Sequence, residues 1–145
     1  MQTRASDEYI SNRAWFRDVL RGEEIILRGV SALEYLQLFV GYVGESRIDV
    51  YSRSRGKHEN VNYHVVGNFN AIDFFRDGNI LCSSASQAIN DLLMDYENTD
   101  EQALVEALSK YYYTHDRSFD SLDIRFNKKK FEELKGWAIE LYSSD

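Results

Sequence analysis

Along this chain the spacing of apolar residues changes twice. Ile10, Trp15, Phe16, Val19 and Leu20 recur at helical intervals and predict a helix from about Tyr9 to Leu20. The run Ile25-Ile26-Leu27 follows and is too brief to assign a period. A second helix is predicted from Ala32 to about Phe39, stopped by Gly41. In the middle third, "RIDVYS" (47–52), "VNYHVV" (61–66), "AIDFF" (71–75) and "NILCS" (79–83) are rich in β-branched and aromatic residues and read as strands. Asp77-Gly78 signals a tight turn between the last two. Helical spacing returns in "ASQAINDLLMDY" after Ser84, "DEQALVEALSKYYY" after Thr99 and "KKKFEELKGWAIELY" after Asn127. The pattern predicts one α+β domain over residues 1–145, with a small, mainly antiparallel sheet of about four strands packed with about five helices.

The chain has no proline, so its helix stops and turns rest on Gly, Asn and Asp. Ser31 raises a question of chemistry, because Gly29 lies two residues before it. A hydrolase elbow also needs glycine two residues after the serine, where this chain has Leu33. Ser31 is instead followed three residues on by Glu34, the spacing of a capping box, and the same spacing recurs at Ser84…Gln87 and Thr99…Gln102. All three hydroxyls are therefore expected to cap helices.

Composition narrows the function. A net charge of −7 over 145 residues repels phosphates in general, so any nucleic-acid contact must be local and duplex nucleic acid is not an expected partner. The local candidate is "RSRGKH" (53–58), where Arg53, Arg55 and Lys57 could hold a phosphate or simply form a solvated hairpin tip. Lys128-Lys129-Lys130 is a second basic run, at a helix start. Cys82 is the one cysteine and excludes an internal disulfide, which fits a reducing cytoplasm. The N-terminal "MQTRASDEY" lacks the apolar core of a signal peptide, and no apolar run approaches the ~20 residues that span a bilayer. His58, His64 and His115 lack metal-ligand spacing, and the glycines form no phosphate loop. No catalytic residue, metal or cofactor is expected. Aromatics reach 14% and include Tyr111-Tyr112-Tyr113, whose helix positions point about 100° apart. At least one of the three is expected at the surface, forming with Phe119 and Tyr142 an apolar patch suited to a protein partner.

Two stretches carry a family resemblance. "VSALEYLQL" (30–38) resembles the Ser-Ala-Leu helix of antitoxins from AbiE-type, type IV toxin–antitoxin systems and related phage-defence regulators. "ILCSSASQAINDLL" (80–93) resembles their strand–Thr-Ser-Pro-Glu-Arg-Thr–helix segment, with Asp91-Leu92-Leu93 in matching order, and "ALVEAL" (103–108) in the following helix is also similar. The likeness runs from about Val30 to Leu122. It departs at Ala85, where the family often has proline, at Ala88, where it has threonine, and at Gln87, where it has arginine. Gln87 can therefore offer Asp91 only a neutral hydrogen bond. Fewer residues precede Ser31 than the family's DNA-binding winged helix needs. The resemblance implies the regulatory or partner-facing part: a non-enzymatic module that binds a toxin-like protein or a second copy of itself. Two other classes compete with this one. One is a nucleic-acid-binding regulator using 53–58 and 128–130, and the other is an enzyme built on His64, Cys82 or scattered carboxylates.

Overall fold

The unassigned run Ile25–Leu27 becomes strand β1, the middle strand of the sheet in the computed structural model, which describes residues 24–39 and 47–143. Helix α1 (Gly29–Tyr35) follows, then β2 (Ile48–Ser52), β3 (Val61–Val65), β4 (Phe74–Asp77) and β5 (Ile80–Ser83). The sheet order is β3-β2-β1-β5-β4. β1 pairs antiparallel with β2, and β4 with β5, whereas β1–β5 and β2–β3 are parallel. The expected mainly antiparallel sheet of four strands is thus corrected to a mixed sheet of five. Among the described residues there are four α-helices rather than five: α1, α2 (Ala85–Met94), α3 (Glu101–Thr114) and α4 (Lys128–Ser143). The helix expected over Tyr9–Leu20, and its neighbour's stop at Gly41, lie outside the described residues. Among the described residues no helix is long and apolar enough to cross a membrane.

The hairpin at Asp77-Gly78 forms as expected, with Gly78 in the left-handed region at φ +62°. The "AIDFF" strand shifts to Phe74–Asp77. The larger surprise is the return from β2 to β3. Parallel neighbours ordinarily need a crossover of a dozen or more residues, yet residues 53–60 suffice here because both strands are five residues long. Residues 53–58 are therefore part of a crossover rather than a hairpin tip. The crossover is seated on Tyr63, whose hydroxyl accepts the His58 backbone N–H at 3.3 Å. A Cβ at Gly56 would lie 2.3 Å from that hydroxyl oxygen. Gly56→Ala should push the ring aside and cost about 1–3 kcal/mol, the usual range for overpacking. A urea melt of the variant checks this, and an unchanged midpoint would mean the crossover is not anchored on the ring.

Apolar faces of α1 and α2 meet the strands, and α3 packs against α1. Leu33 and Tyr35, Ile89 and Leu93, and Leu104 and Leu108 join Leu27, Ile48, Val50 and Cys82 in one buried cluster. Helix α1 ends in a Schellman motif, with Leu38 N–H reaching the Leu33 carbonyl and Gln37 N–H the Glu34 carbonyl, and Gln37 takes φ +64°.

Of the three expected caps, Ser84 is in place, its oxygen accepting the Gln87 N–H at 3.1 Å. Ser31 is not a cap. Arg28 occupies the N-cap of α1 with no side-chain cap bond, because the helix starts earlier than the spacing suggests. Ser31 lies inside the helix and accepts the Asp49 backbone N–H at 2.8 Å, pinning α1 to β2. Thr99 also misses, by one residue. Asp100 caps α3 by accepting the Ala103 N–H at 3.1 Å. Thr99 donates its hydroxyl proton to the Leu92 carbonyl at 2.8 Å, satisfying an orphan acceptor in the last turn of α2.

The chain between α3 and α4 is held along α2 by Asn90. Its Nδ2 donates to the carbonyls of Ser86 (2.9 Å) and Asp123 (2.7 Å). Its Oδ1 accepts the backbone N–H groups of Arg125 (2.8 Å) and Phe126 (3.3 Å), so the buried amide is fully satisfied.

Candidate functional site

Residues alternate faces along a strand, and the β2–β3 register opposes Asp49 to Asn62 and Tyr51 to His64. These four side chains therefore share one face of the sheet. Arg28 enters beside them where β1 ends, its backbone N–H donating to the Asp49 carbonyl at 3.0 Å. Asn62 Nδ2 donates to Asp49 Oδ1 at 2.9 Å, and His64 Nε2 lies 4.0 Å from the same oxygen. Arg28 Nη1 is 3.0 Å from His64 Nε2. A guanidinium can only donate, so Nε2 carries the lone pair and the ring proton sits on Nδ1. Partial burial, and then the Arg28 charge, hold His64 below the ordinary histidine value, so the ring is neutral at pH 7.

Helix α2 supplies Asp91, whose side chain is 5% exposed. Gln87 Nε2 donates to its Oδ1 at 3.1 Å, the neutral hydrogen bond expected at this position. The positive partner comes from elsewhere: Arg28 Nε lies 3.9 Å from Asp91 Oδ2, with Arg28 itself 14% exposed. The Arg28 guanidinium also sits 4.8 Å from the centre of the Tyr51 ring. Burial, and then the Asp91 contact, raise the Tyr51 hydroxyl above its ordinary value. On α1, Glu34 is buried, and its carboxyl is pushed up to about 7, by burial first and by the charge of Asp49 second.

Arg28, Asp49, Asn62, His64 and Asp91 border a cavity of about 520 Å³ that Arg47, Arg55, Asp95, Asn98 and Thr99 also line. Of the three basic residues that could hold a phosphate, only Arg55 lines it, while Arg53 and Lys57 are exposed on the crossover. A second groove, of about 800 Å³, runs between α2, residues 66–73 and residues 121–126, and Asp91 lines both.

Of the expected aromatic patch, Tyr112, Tyr113 and Phe119 lie together in one half-buried cluster, whereas Tyr111 lies inside. Tyr111 is buried, stacks on His115 with centroids 3.7 Å apart and hydrogen-bonds to Ser121. Tyr112 packs on Phe119 at 4.9 Å, and Tyr113 donates its hydroxyl to the Ile139 carbonyl at 2.8 Å. Tyr112, Tyr113 and Phe119 are half-buried, because the chain after α3 folds back over that end of the helix. The Tyr142 side chain lies outside the described residues. Cys82 is fully buried, its thiol directed to the carbonyls of Ala32 and Ser83. Among the described residues no group of three or more His, Cys, Asp or Glu is arranged to hold a metal ion.

Arg28, Asp49 and Asn62 are the site residues that motif reading passes over. The alternation in "IDVYS" and "VNYHV" puts Asp49, Tyr51, Asn62 and His64 on one face, but polar residues there fit an ordinary solvated sheet face equally well. No protein-family model matches the chain, and comparison with curated proteins finds no match.

Proposed function

We propose that this protein is a non-catalytic, cytoplasmic protein-binding module of the antitoxin or defence-regulator kind, acting on a toxin-like partner. The resemblance in residues 30–38 and 80–93 supports this reading, since the two stretches meet as α1 packs on α2 and the Cys82 thiol contacts the Ala32 carbonyl. The observation that carries it is the apolar rim of the larger groove. Met94 is 59% and Phe126 43% exposed there, beside polar walls already satisfied through Asn90 and Gln87. Exposed methionine and phenylalanine on a groove are typical of surfaces that a partner covers.

Co-expression with the product of the adjacent gene, followed by co-purification and sizing, tests the proposal. The wild-type chain should retain that product. Phe126→Ala with Met94→Ala should weaken retention by about tenfold or more, the loss expected for an interface anchor, with little change in thermal midpoint. A partner held equally well by the double variant would move the contact elsewhere, and no retention by the wild type would refute the reading.

A further inference from the structure

The charges around the smaller cavity are not equally committed. Each of its three carboxylates already accepts an intramolecular hydrogen bond: Asp49 from Asn62 (2.9 Å), Asp91 from Gln87 (3.1 Å) and Asp95 from Asn98 (2.9 Å). The guanidiniums are less fully used. Arg55 engages no hydrogen-bond or ion-pair partner among the described residues. Arg47 spends one Nη2 bond on the Glu59 carbonyl at 2.5 Å. Arg28 is held in place by the Tyr51 ring and Asp91, with Nη1 on a neutral imidazole. A guanidinium has five donors, so all three arginines keep some in reserve. Three guanidiniums and three carboxylates therefore line the cavity, and the guanidiniums are the groups with N–H donors left for an anion.

We propose that this cavity binds a phosphomonoester dianion of mononucleotide size, with Arg47 and Arg55 on the phosphate and Arg28–His64 forming the inner wall. A volume of about 520 Å³ falls within the range of small-ligand sites. Arginine forks match phosphate oxygens bidentately. Three elements and a crossover converge here: β1 brings Arg28, β3 brings Asn62 and His64, the start of β2 brings Arg47, and residues 53–60 bring Arg55. This inference stands apart from the protein-binding reading, because it uses the other cavity and none of the rim residues tested there.

His64 supplies an internal reporter. Its neutrality rests partly on the Arg28 charge, so a dianion beside the pair should raise the pKa of the ring. The experiment is an NMR titration of the histidine ring signals with inorganic phosphate and, separately, with adenosine 5′-monophosphate, at constant ionic strength. His64 should shift saturably and titrate at higher pH, while His58 and His115 stay put. Arg55→Gln and Arg47→Gln, both on exposed side chains, should each weaken binding by about tenfold, as loss of a charge-assisted contact implies. Tighter binding of the nucleotide would identify a nucleotide site, and equal binding a site for the phosphate group alone. Either result upholds the dianion site. No saturable His64 shift at millimolar ligand, or unchanged affinity in both arginine variants, would overturn it.

Discussion

Arg28→Met should destabilise the fold by about 3–5 kcal/mol, the usual cost of stranding one member of a buried ion pair. Asp91 is 5% exposed; Gln87 serves its Oδ1, and Arg28 lies 3.9 Å from its Oδ2 and supplies the opposite charge. Because Arg28 Nε is without a hydrogen bond, the pair itself adds little net stability, and the loss comes from the carboxylate left behind. The double variant Arg28→Met/Asp91→Leu should therefore recover most of it. Urea unfolding of wild type, both single variants and the double variant gives the comparison, read as midpoint shifts at constant slope. If Arg28→Met alone melts like the wild type, Asp91 is compensated some other way and the cluster is not a coupled unit.

Glu34→Gln is expected to stabilise the protein at pH 8 by up to roughly 3 kcal/mol while changing little near pH 4. The carboxyl ordinarily titrates at 4.5 and in the fold near 7. Between those values the native state holds a proton that the unfolded chain has released, so stability falls as pH rises through this window and levels off above it. Glutamine keeps the shape of the protonated acid and carries no such slope. Denaturant melts of both proteins at pH 4, 6 and 8 would show the curves diverging as pH rises. Parallel curves would mean that Glu34 is well solvated or finds a cation when charged.

Local features were the ones legible in advance. The Asp77-Gly78 turn, the Ser84 cap and the start of α4 after Asn127 each depend on a few consecutive residues, and each is where the pattern placed it. Ser31 shows the limit of that logic. Its spacing to Glu34 matches a capping box, but Arg28 is already the cap, and the hydroxyl turns to β2. Parallel pairing was illegible because a short connection ordinarily means a hairpin, and the fit of residues 53–60 depends on Gly56 meeting a ring seven residues later. Three residues were too few to mark β1 as a strand, yet its position in the middle of the sheet brings Arg28 to Asp49, His64 and Asp91. The candidate site was hidden for the same reason: its members come from strands and a helix that only tertiary structure brings together. Arg55 was anticipated from the basic run, whereas Arg28 had no sequence neighbour to announce it.

The Asn90 amide ties four backbone groups from two chain segments to one side chain on α2. Amide protons of Arg125 and Phe126, which lie in a segment with no regular hydrogen-bond ladder, are therefore shielded by that helix and not by their own neighbours. In hydrogen exchange they should open with α2 as one cooperative unit, and the loop leading into α4 should behave kinetically as part of the core.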